Sequence, residues 1–122
     1  MTIQQVCKQS GLTVDTIRYY ERIKLINVEK NNYFKNYSSQ TLETLIVIKK
    51  LRLAGMSISE IKWLLSIDVA PTALSKKQID SVSAVIDNAI ERANIRANEI
   101  AESQRLLEKM KNKLVKVRDA NK

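Results

Sequence analysis

A short stretch near the start of the chain combines side chains that can bind a nucleic acid. It reads S-G-L-T-V-D-T-I-R-Y-Y-E over residues 10–21 and places an arginine beside two tyrosines. Arginine and tyrosine side chains donate to phosphate oxygens, and arginine also reads base edges, so this combination is suited to DNA. The alternative is an ordinary helical hairpin whose amphipathic side chains cover a hydrophobic core.

Two short helices are predicted to position that cluster. Thr2 and Gln5 have the spacing of a capping box, which predicts a first helix over residues 3–10, and Gly11 is suited to end it. Thr13 is a good N-cap for a second helix. Two helices joined by a short turn with a glycine form a helix-turn-helix, whose second helix enters the major groove.

The outward side of the second helix carries the side chains that we expect to read DNA. Val14 and Ile17 are three residues apart and are predicted to point at the first helix. The polar residues around them therefore face outward. The predicted groove contacts are Thr13, Asp15, Thr16, Arg18 and Tyr19.

A small hairpin, or wing, is predicted after the second helix. Leu25, Ile26 and Val28 indicate an extended segment, and residues 31–32, both asparagine, suit a turn. The second arm is rich in aromatic and basic residues, which suits contact with a phosphate backbone, although aromatics such as Phe34 also suit a core. The predicted phosphate contacts are Arg22, Lys35 and Tyr37.

Two more helices are predicted before residue 68. Ser38 or Ser39 caps the first, which ends at residues 54–55, and Ser57 with Glu60 forms a capping box for the second. A group of cations precedes the turn between them: Lys49, Lys50 and Arg52. These cations form either a solvated face or a second contact with phosphates.

The last part of the chain has the pattern of a coiled coil. From Ser75 onward no glycine or proline interrupts the sequence, which predicts one helix about 70 Å long at about 1.5 Å per residue. Apolar residues recur at steps of three and four, interrupted by Arg96 and Ser103, and such a stripe predicts pairing with a second copy. The predicted seam residues are Ile79, Val82, Ile86, Ala89, Ala93, Ile100, Leu107, Met110 and Leu114.

Composition limits the classes of function. The 122 residues include 21 Lys and Arg against 13 Asp and Glu, a net charge of +8 that suits a polyanionic partner. With one cysteine and no histidine, we expect no disulfide, metal or other cofactor, and Cys7 packs as a small hydrophobe or acts as a thiol sensor. Without a glycine-rich phosphate loop or a recognisable catalytic set, we do not expect an enzyme.

No membrane association is expected from the sequence. No apolar run reaches about 18 residues, and Met1 leads into the first helix without the apolar segment of a signal peptide. We therefore expect a cytoplasmic protein, associated with the nucleoid if it binds DNA.

These patterns predict a mainly α protein with two parts. A winged helix-turn-helix head with a small β-hairpin occupies residues 1–69, and a long coiled-coil dimerisation helix occupies residues 70–122. The boundary is predicted at Asp68-Val69-Ala70-Pro71, which interrupts the helical pattern.

The chain up to about residue 65 resembles the DNA-binding domain of the MerR family of bacterial transcription regulators. The resemblance lies in T-I-R-Y-Y-E at 16–21, Leu-Ile at 25–26, F-K-N-Y-S at 34–38 and L-R-x-x-G-x-S-x-x-E-I at 51–61. Departures from the family pattern are Lys24 and Tyr33 in place of glycine, Lys35 in place of arginine, and Asp15 where a basic residue is frequent. A lysine at position 35 keeps the charge but loses the planar fork of arginine.

The resemblance implies a homodimer joined by antiparallel long helices and bound to a palindromic double-stranded promoter with a long spacer, where RNA polymerase is a further partner. An effector would change the distortion of the spacer DNA rather than release the protein. The effector is unknown; Trp63 either walls a site for a hydrophobic molecule or packs in the core. Two alternatives are an architectural or excisionase-like DNA-binding protein without an effector, and a coiled-coil adaptor for an acidic protein.

Overall fold

The computed structural model describes residues 1–31, 34–67 and 74–121. These residues form five helices and a two-stranded antiparallel hairpin, which confirms the mainly α fold with a winged head and a long C-terminal helix. In chain order the elements are α1 Ile3–Ser10, α2 Val14–Arg22, β1 Glu29–Asn31, β2 Phe34–Asn36, α3 Ser39–Leu53, α4 Ile58–Ser66 and α5 Lys76–Ala120.

The helices begin where the capping residues predict. Reciprocal capping boxes begin α1, α4 and α5, while a single hydroxyl caps α2 and α3. Each cap accepts a backbone N–H of the first turn that has no partner within the helix. The N-cap residues are Thr2, Thr13, Ser38, Ser57 and Ser75. Gly11 ends α1 with φ 73°, as predicted from its freedom to adopt a left-handed conformation.

The segment between α2 and β1 differs from the predicted extended arm. Leu25 and Ile26 lie in a bend and are both buried, and the first strand begins only at Glu29. Neighbouring residues of a strand point to opposite faces, so burial of both side chains in one core requires the bend. Lys24 has φ 61°, which explains why glycine is usual at this position in the family pattern.

The core of the head is formed by side chains from α1, α2, α3, α4 and the segments between them. Its fully buried members are Val6, Ile17, Tyr37, Leu45, Ile48, Met56 and Ile61. The backbone N–H of Tyr37 donates to the Met1 carbonyl at 2.9 Å. This bond holds the end of the hairpin against the start of α1, so the wing is positioned by the helical core.

Part of α5 packs against the head of its own chain. Ala89 is buried in the core of the head, and Val85, one turn earlier, packs against it. The prediction that Ala89 belongs to a seam between two copies is therefore wrong for this side chain. Its small size instead allows α5 to approach the head closely.

Two polar contacts complete this junction. Arg92 forms an ion pair with Glu60 of α4 at 2.7 Å, and Arg96 Nη1 donates to the Leu53 carbonyl at 3.0 Å. Arg96 was an anomaly in the apolar seam, and its position is explained by the carbonyl that it binds at the end of α3.

Some predictions fall outside the described residues. These are the boundary between residues 69 and 70, the interruption at 68–71, and Asn32 and Tyr33 between the strands. Across the described ranges, no helix combines the length and apolar character needed to span a membrane.

Candidate nucleic-acid interface

The exposed face of α2 presents a mixed set of polar, basic and aromatic side chains. Asp15, Arg18 and Tyr19 are exposed, as predicted, whereas Ile17 and Tyr20 on the opposite side are buried. The apolar contacts of Ile17 and Tyr20 therefore fix the rotation of the helix, and this rotation leaves its polar side chains accessible to a ligand.

Thr13 and Thr16 lie at the N-terminal end of α2. The Thr16 backbone N–H donates to Thr13 Oγ1 at 3.2 Å, and the two hydroxyls are hydrogen bonded to each other at 2.8 Å. Thr16 is only half-exposed, and Asp15 in the same first turn is favoured there by the helix dipole. All three predicted contacts at this end of α2 thus also help to begin the helix.

An aromatic and cationic cluster covers the C-terminal half of α2. The rings of Tyr19 and Tyr20 are tilted with centroids 6.0 Å apart, and the guanidinium carbon of Arg22 lies 5.6 Å from the Tyr19 ring centroid. A guanidinium over a ring face is held by cation–π attraction. Arg22 is therefore held beside an exposed tyrosine on the predicted DNA-binding side.

An ion pair joins the hairpin to α2. Lys35 Nζ of β2 donates to Glu21 Oε2 at 2.9 Å, and both side chains keep some contact with solvent. An exposed pair of this kind contributes little to stability, but it places the hairpin lysine next to the helix. The exposed face of α2 and Lys35 together form one surface, which we call the head surface.

Tyr37 does not lie on the head surface. Its side chain is 1% exposed, and its hydroxyl is buried without a hydrogen-bond partner in the described part of the chain. Burial raises the pKa of Tyr37, and the nearby Glu21 carboxylate raises it further. In this conformation the hydroxyl is out of reach of a phosphate, contrary to its predicted role, because the ring is part of the core.

The cations before the α3–α4 turn are partly used within the head. Lys49 Nζ donates to the Ser10 carbonyl at the end of α1 at 3.3 Å, and Arg52 Nη1 donates to the Met56 carbonyl at 2.7 Å. Sequence spacing contained no sign of the first contact, which joins residues 39 positions apart. Lys50 is exposed and therefore accessible to a phosphate.

Trp63 is on the surface rather than in the core. It is 39% exposed and lines a cavity of about 310 Å³ between α4 and the start of α5, together with Ile67, Leu74 and Val82. Cys7 is half-buried and packs against the core, as expected of a small hydrophobe. Among the described residues, no group of three or more His, Cys, Asp and Glu side chains is placed to hold a metal ion.

Sequence comparison with known proteins decides the family. The profile described as MerR HTH family regulatory protein matches residues 1–66. A protein of Haemophilus influenzae named HTH-type transcriptional regulator ZntR homolog is 35% identical over 117 residues, which span 94% of this chain and 84% of that protein. The chain belongs to the MerR family. The resemblance found in the sequence motifs is thereby confirmed.

Solved structures share the fold of this MerR-family chain. A putative MerR family regulator from Listeria monocytogenes has a TM-score of 0.66 at 23% identity, covering 88% of this chain and 80% of its own. HiNmlR, a MerR family regulator lacking the sensor domain and solved bound to promoter DNA, has the same TM-score and identity and covers 88% and 78%. Family membership makes the chain a DNA-binding transcription regulator.

Proposed function

We propose that this MerR-family regulator binds a palindromic promoter as a homodimer and controls transcription by distorting the spacer DNA. The observation that supports this proposal is the head surface, where α2 and the hairpin lysine lie side by side. A helix that enters a major groove and a wing that contacts the adjacent backbone need this arrangement.

Within the head surface, the side chains divide by their chemistry. We assign groove contacts to the N-cap of α2 and to polar and aromatic residues within the helix: Thr13, Asp15, Thr16, Arg18 and Tyr19. Arg22 and Lys35 are assigned to phosphates because a cation positions the protein on DNA without reading its sequence. Tyr37 is left out of this assignment because its hydroxyl is buried.

Exposure along α5 supports pairing with a second copy. Four of its predicted seam residues beyond the junction with the head are more than half exposed: Ile100, Leu107, Met110 and Leu114. A stripe of this length on an isolated helix is unfavourable in water, and the same stripe of a second copy would cover it. The remaining seam residues, Ile79, Val82, Ile86 and Ala93, are exposed or half-exposed.

Charge along α5 supports an antiparallel arrangement. Residues 76–104 carry four basic and five acidic side chains, and residues 105–120 carry six basic and two acidic side chains. A parallel pair would place the two basic segments together. An antiparallel pair separates them and places each near the less basic half of its partner, which lowers the repulsion.

The domain division and the location form part of the proposal. A division after residue 69 gives the DNA-binding role to the head and the dimerisation role to the part of the chain that contains α5. The cytoplasm, where bacterial DNA and RNA polymerase are found, is the location that this role requires. RNA polymerase at the distorted promoter would be the further partner.

Substitution of Arg18 tests the DNA-binding part of the proposal. Fragments selected from the source genome would serve as DNA, with affinity measured at several salt concentrations. Arg18→Ala should weaken binding to the selected fragments because a contact to a base edge is lost. Arg22→Ala should weaken binding and reduce the slope of log affinity against log salt by about 0.9, because a phosphate contact is lost. Lys109→Ala, an equal change of charge on the second half of α5, is the control and should leave the slope nearly unchanged.

A second measurement separates regulation from an architectural role. DNA bending and transcription in vitro would be followed on one selected promoter with the full chain. We expect a change in the amount of transcript that accompanies the bend. Bending without any change of transcript would support the architectural alternative, and the absence of salt-sensitive duplex binding would support the adaptor alternative.

A further inference from the structure

A cluster of arginines lies where the α3–α4 turn meets α5. Arg52, Gly55, Arg92 and Arg96 line a cleft of about 350 Å³, which we call the arginine cleft. None of these described lining residues is acidic. The cleft is remote in sequence from α2 and the hairpin, and the proposed DNA contacts make no use of it.

Two of the three arginines bind only neutral acceptors in the described structure. Arg52 Nη1 donates to the Met56 carbonyl at 2.7 Å, and Arg96 Nη1 donates to the Leu53 carbonyl at 3.0 Å. Each guanidinium has five N–H donors, so both keep donors for another partner. Carbonyl oxygens also leave the formal charge of both side chains uncompensated.

The third arginine is paired, but its donors are not all used. Arg92 Nη2 contacts Glu60 Oε2 at 2.7 Å, whereas Arg92 Nε is buried without an acceptor in the described ranges. Hydrogen bonding to Arg92 lowers the pKa of Glu60 to about 2, so this carboxylate is ionised at neutral pH. Three guanidinium cations are therefore opposed by one carboxylate.

Gly55 forms the turn that brings the end of α3 to the cleft. Its φ of 95° is a conformation that other residues rarely adopt. Arg96 Nη1 lies 3.4 Å from the position that a Cβ would take, so the Arg96 guanidinium is in van der Waals reach of this turn.

We propose that the arginine cleft binds a small phosphate-bearing anion and thereby ties the α3–α4 turn to α5. Guanidinium groups are suited to this role because their planar donors pair with two phosphate oxygens at once. The cleft is open to solvent, so a small anion can reach the three guanidinium groups. This binding is separate from the proposed promoter function and is measured without DNA.

A titration with inorganic phosphate tests the proposal on the full chain. Arginine Nε–H signals and the melting temperature would be followed by NMR and calorimetry at constant ionic strength, with chloride as the balancing anion. Phosphate should shift the signals of Arg52, Arg92 and Arg96 and raise the melting temperature. Arg96→Gln should weaken phosphate binding about tenfold, through the loss of a charge-assisted contact.

The matched control is Arg105→Gln, which makes the same change on an exposed part of α5 outside the cleft. It should bind phosphate as the unmodified chain does. Arg52→Gln is a second cleft variant, and Arg96→Lys, which keeps the charge without the fork, should give an intermediate affinity. Circular dichroism would establish that each variant is folded before its affinity is compared.

Several results would overturn the proposal. One is equal phosphate binding by Arg96→Gln and Arg105→Gln, and another is a response to phosphate no larger than the response to chloride. Weaker DNA binding by Arg96→Gln without any phosphate effect would identify a backbone phosphate of DNA as the occupant. Weaker self-association of that variant, again without a phosphate effect, would identify an acidic side chain of a second copy.

Discussion

Among single residues, Tyr37 has the least expected environment, with a buried ring and a hydroxyl that lacks a partner in the described chain. An unsatisfied buried polar group costs about 1–3 kcal/mol. Tyr37→Phe removes that group and keeps the ring, so the free energy of unfolding should rise by about 1 kcal/mol in urea denaturation. Tyr19→Phe on the exposed face is the control and should change stability little.

DNA binding by the Tyr37→Phe variant tests the phosphate contact that the sequence predicted for Tyr37. A buried hydroxyl makes no contact with phosphate, so Tyr37→Phe should bind DNA with unchanged affinity. A marked loss of both stability and DNA affinity would show that the hydroxyl has a partner after all.

Glu21 limits the charge that Lys35 offers to DNA, since the two side chains are paired at 2.9 Å. Glu21→Gln frees the lysine and removes a negative charge from the head surface. DNA affinity at low salt should rise about twofold to fivefold, with little change in stability because exposed ion pairs contribute weakly. Titrations at several salt concentrations measure this effect.

Glu108→Gln provides the control for Glu21→Gln, because it makes the same change on α5 far along the chain from the head surface. It should leave DNA affinity nearly unchanged. An equal rise in both variants would show that overall net charge, and not the release of Lys35, causes the effect.

Among the helices, α4 and α5 are joined by a contact that depends on pH. The folded-state pKa of Glu60 is about 2, below its ordinary value of 4.5, chiefly because Arg92 donates to the carboxylate. The stabilisation is therefore present above about pH 4.5 and is lost as the pH falls towards 2. Glu60→Gln should reduce stability most at neutral pH, and its difference from the unmodified chain should shrink below pH 4.5.

Denaturation curves between about pH 2.5 and 7 measure this difference. Glu99→Gln on the exposed part of α5 is the matched control, and its effect on stability should be small throughout. A Glu60→Gln difference that stays constant with pH would mean that the carboxylate gains nothing from Arg92.

For the molecule as a whole, the exposed apolar seam of α5 determines whether the chain forms a dimer. Leu107 is 64% exposed, and pairing with a second copy would bury it. Leu107→Asp would place a carboxylate in that interface, which is costly without a partner charge. The dimer dissociation constant should rise at least about 100-fold in analytical ultracentrifugation.

The control for Leu107→Asp is Ile95→Asp, since Ile95 is 52% exposed and is not part of the predicted seam. It should leave the dimer intact. If the unmodified chain stays monomeric at micromolar concentration, pairing through α5 is excluded. Binding of a palindromic promoter by a dimer with two DNA-binding heads is then excluded as well.

Local patterns in the sequence were sufficient to predict the helices, the wing and the family. Capping residues such as Thr2, Thr13 and Ser57 act on the next three residues, so their effect is visible in a short stretch of sequence. Gly11 ends α1 for an equally local reason. The exposure of Arg18 and Tyr19 followed from helical spacing in the same way.

Contacts between distant parts of the chain could be identified only from the tertiary structure. Arg96 reaches the Leu53 carbonyl across 43 positions, and Arg92 reaches Glu60 across 32. Such pairs leave no periodic sign, so Ala89 was interpreted as a member of the seam and Arg96 as an interruption of it, although both contact the head. Burial of Tyr37 and the bend at residues 25–26 have the same cause: packing of the whole head, and not local preference, sets which side chains are enclosed.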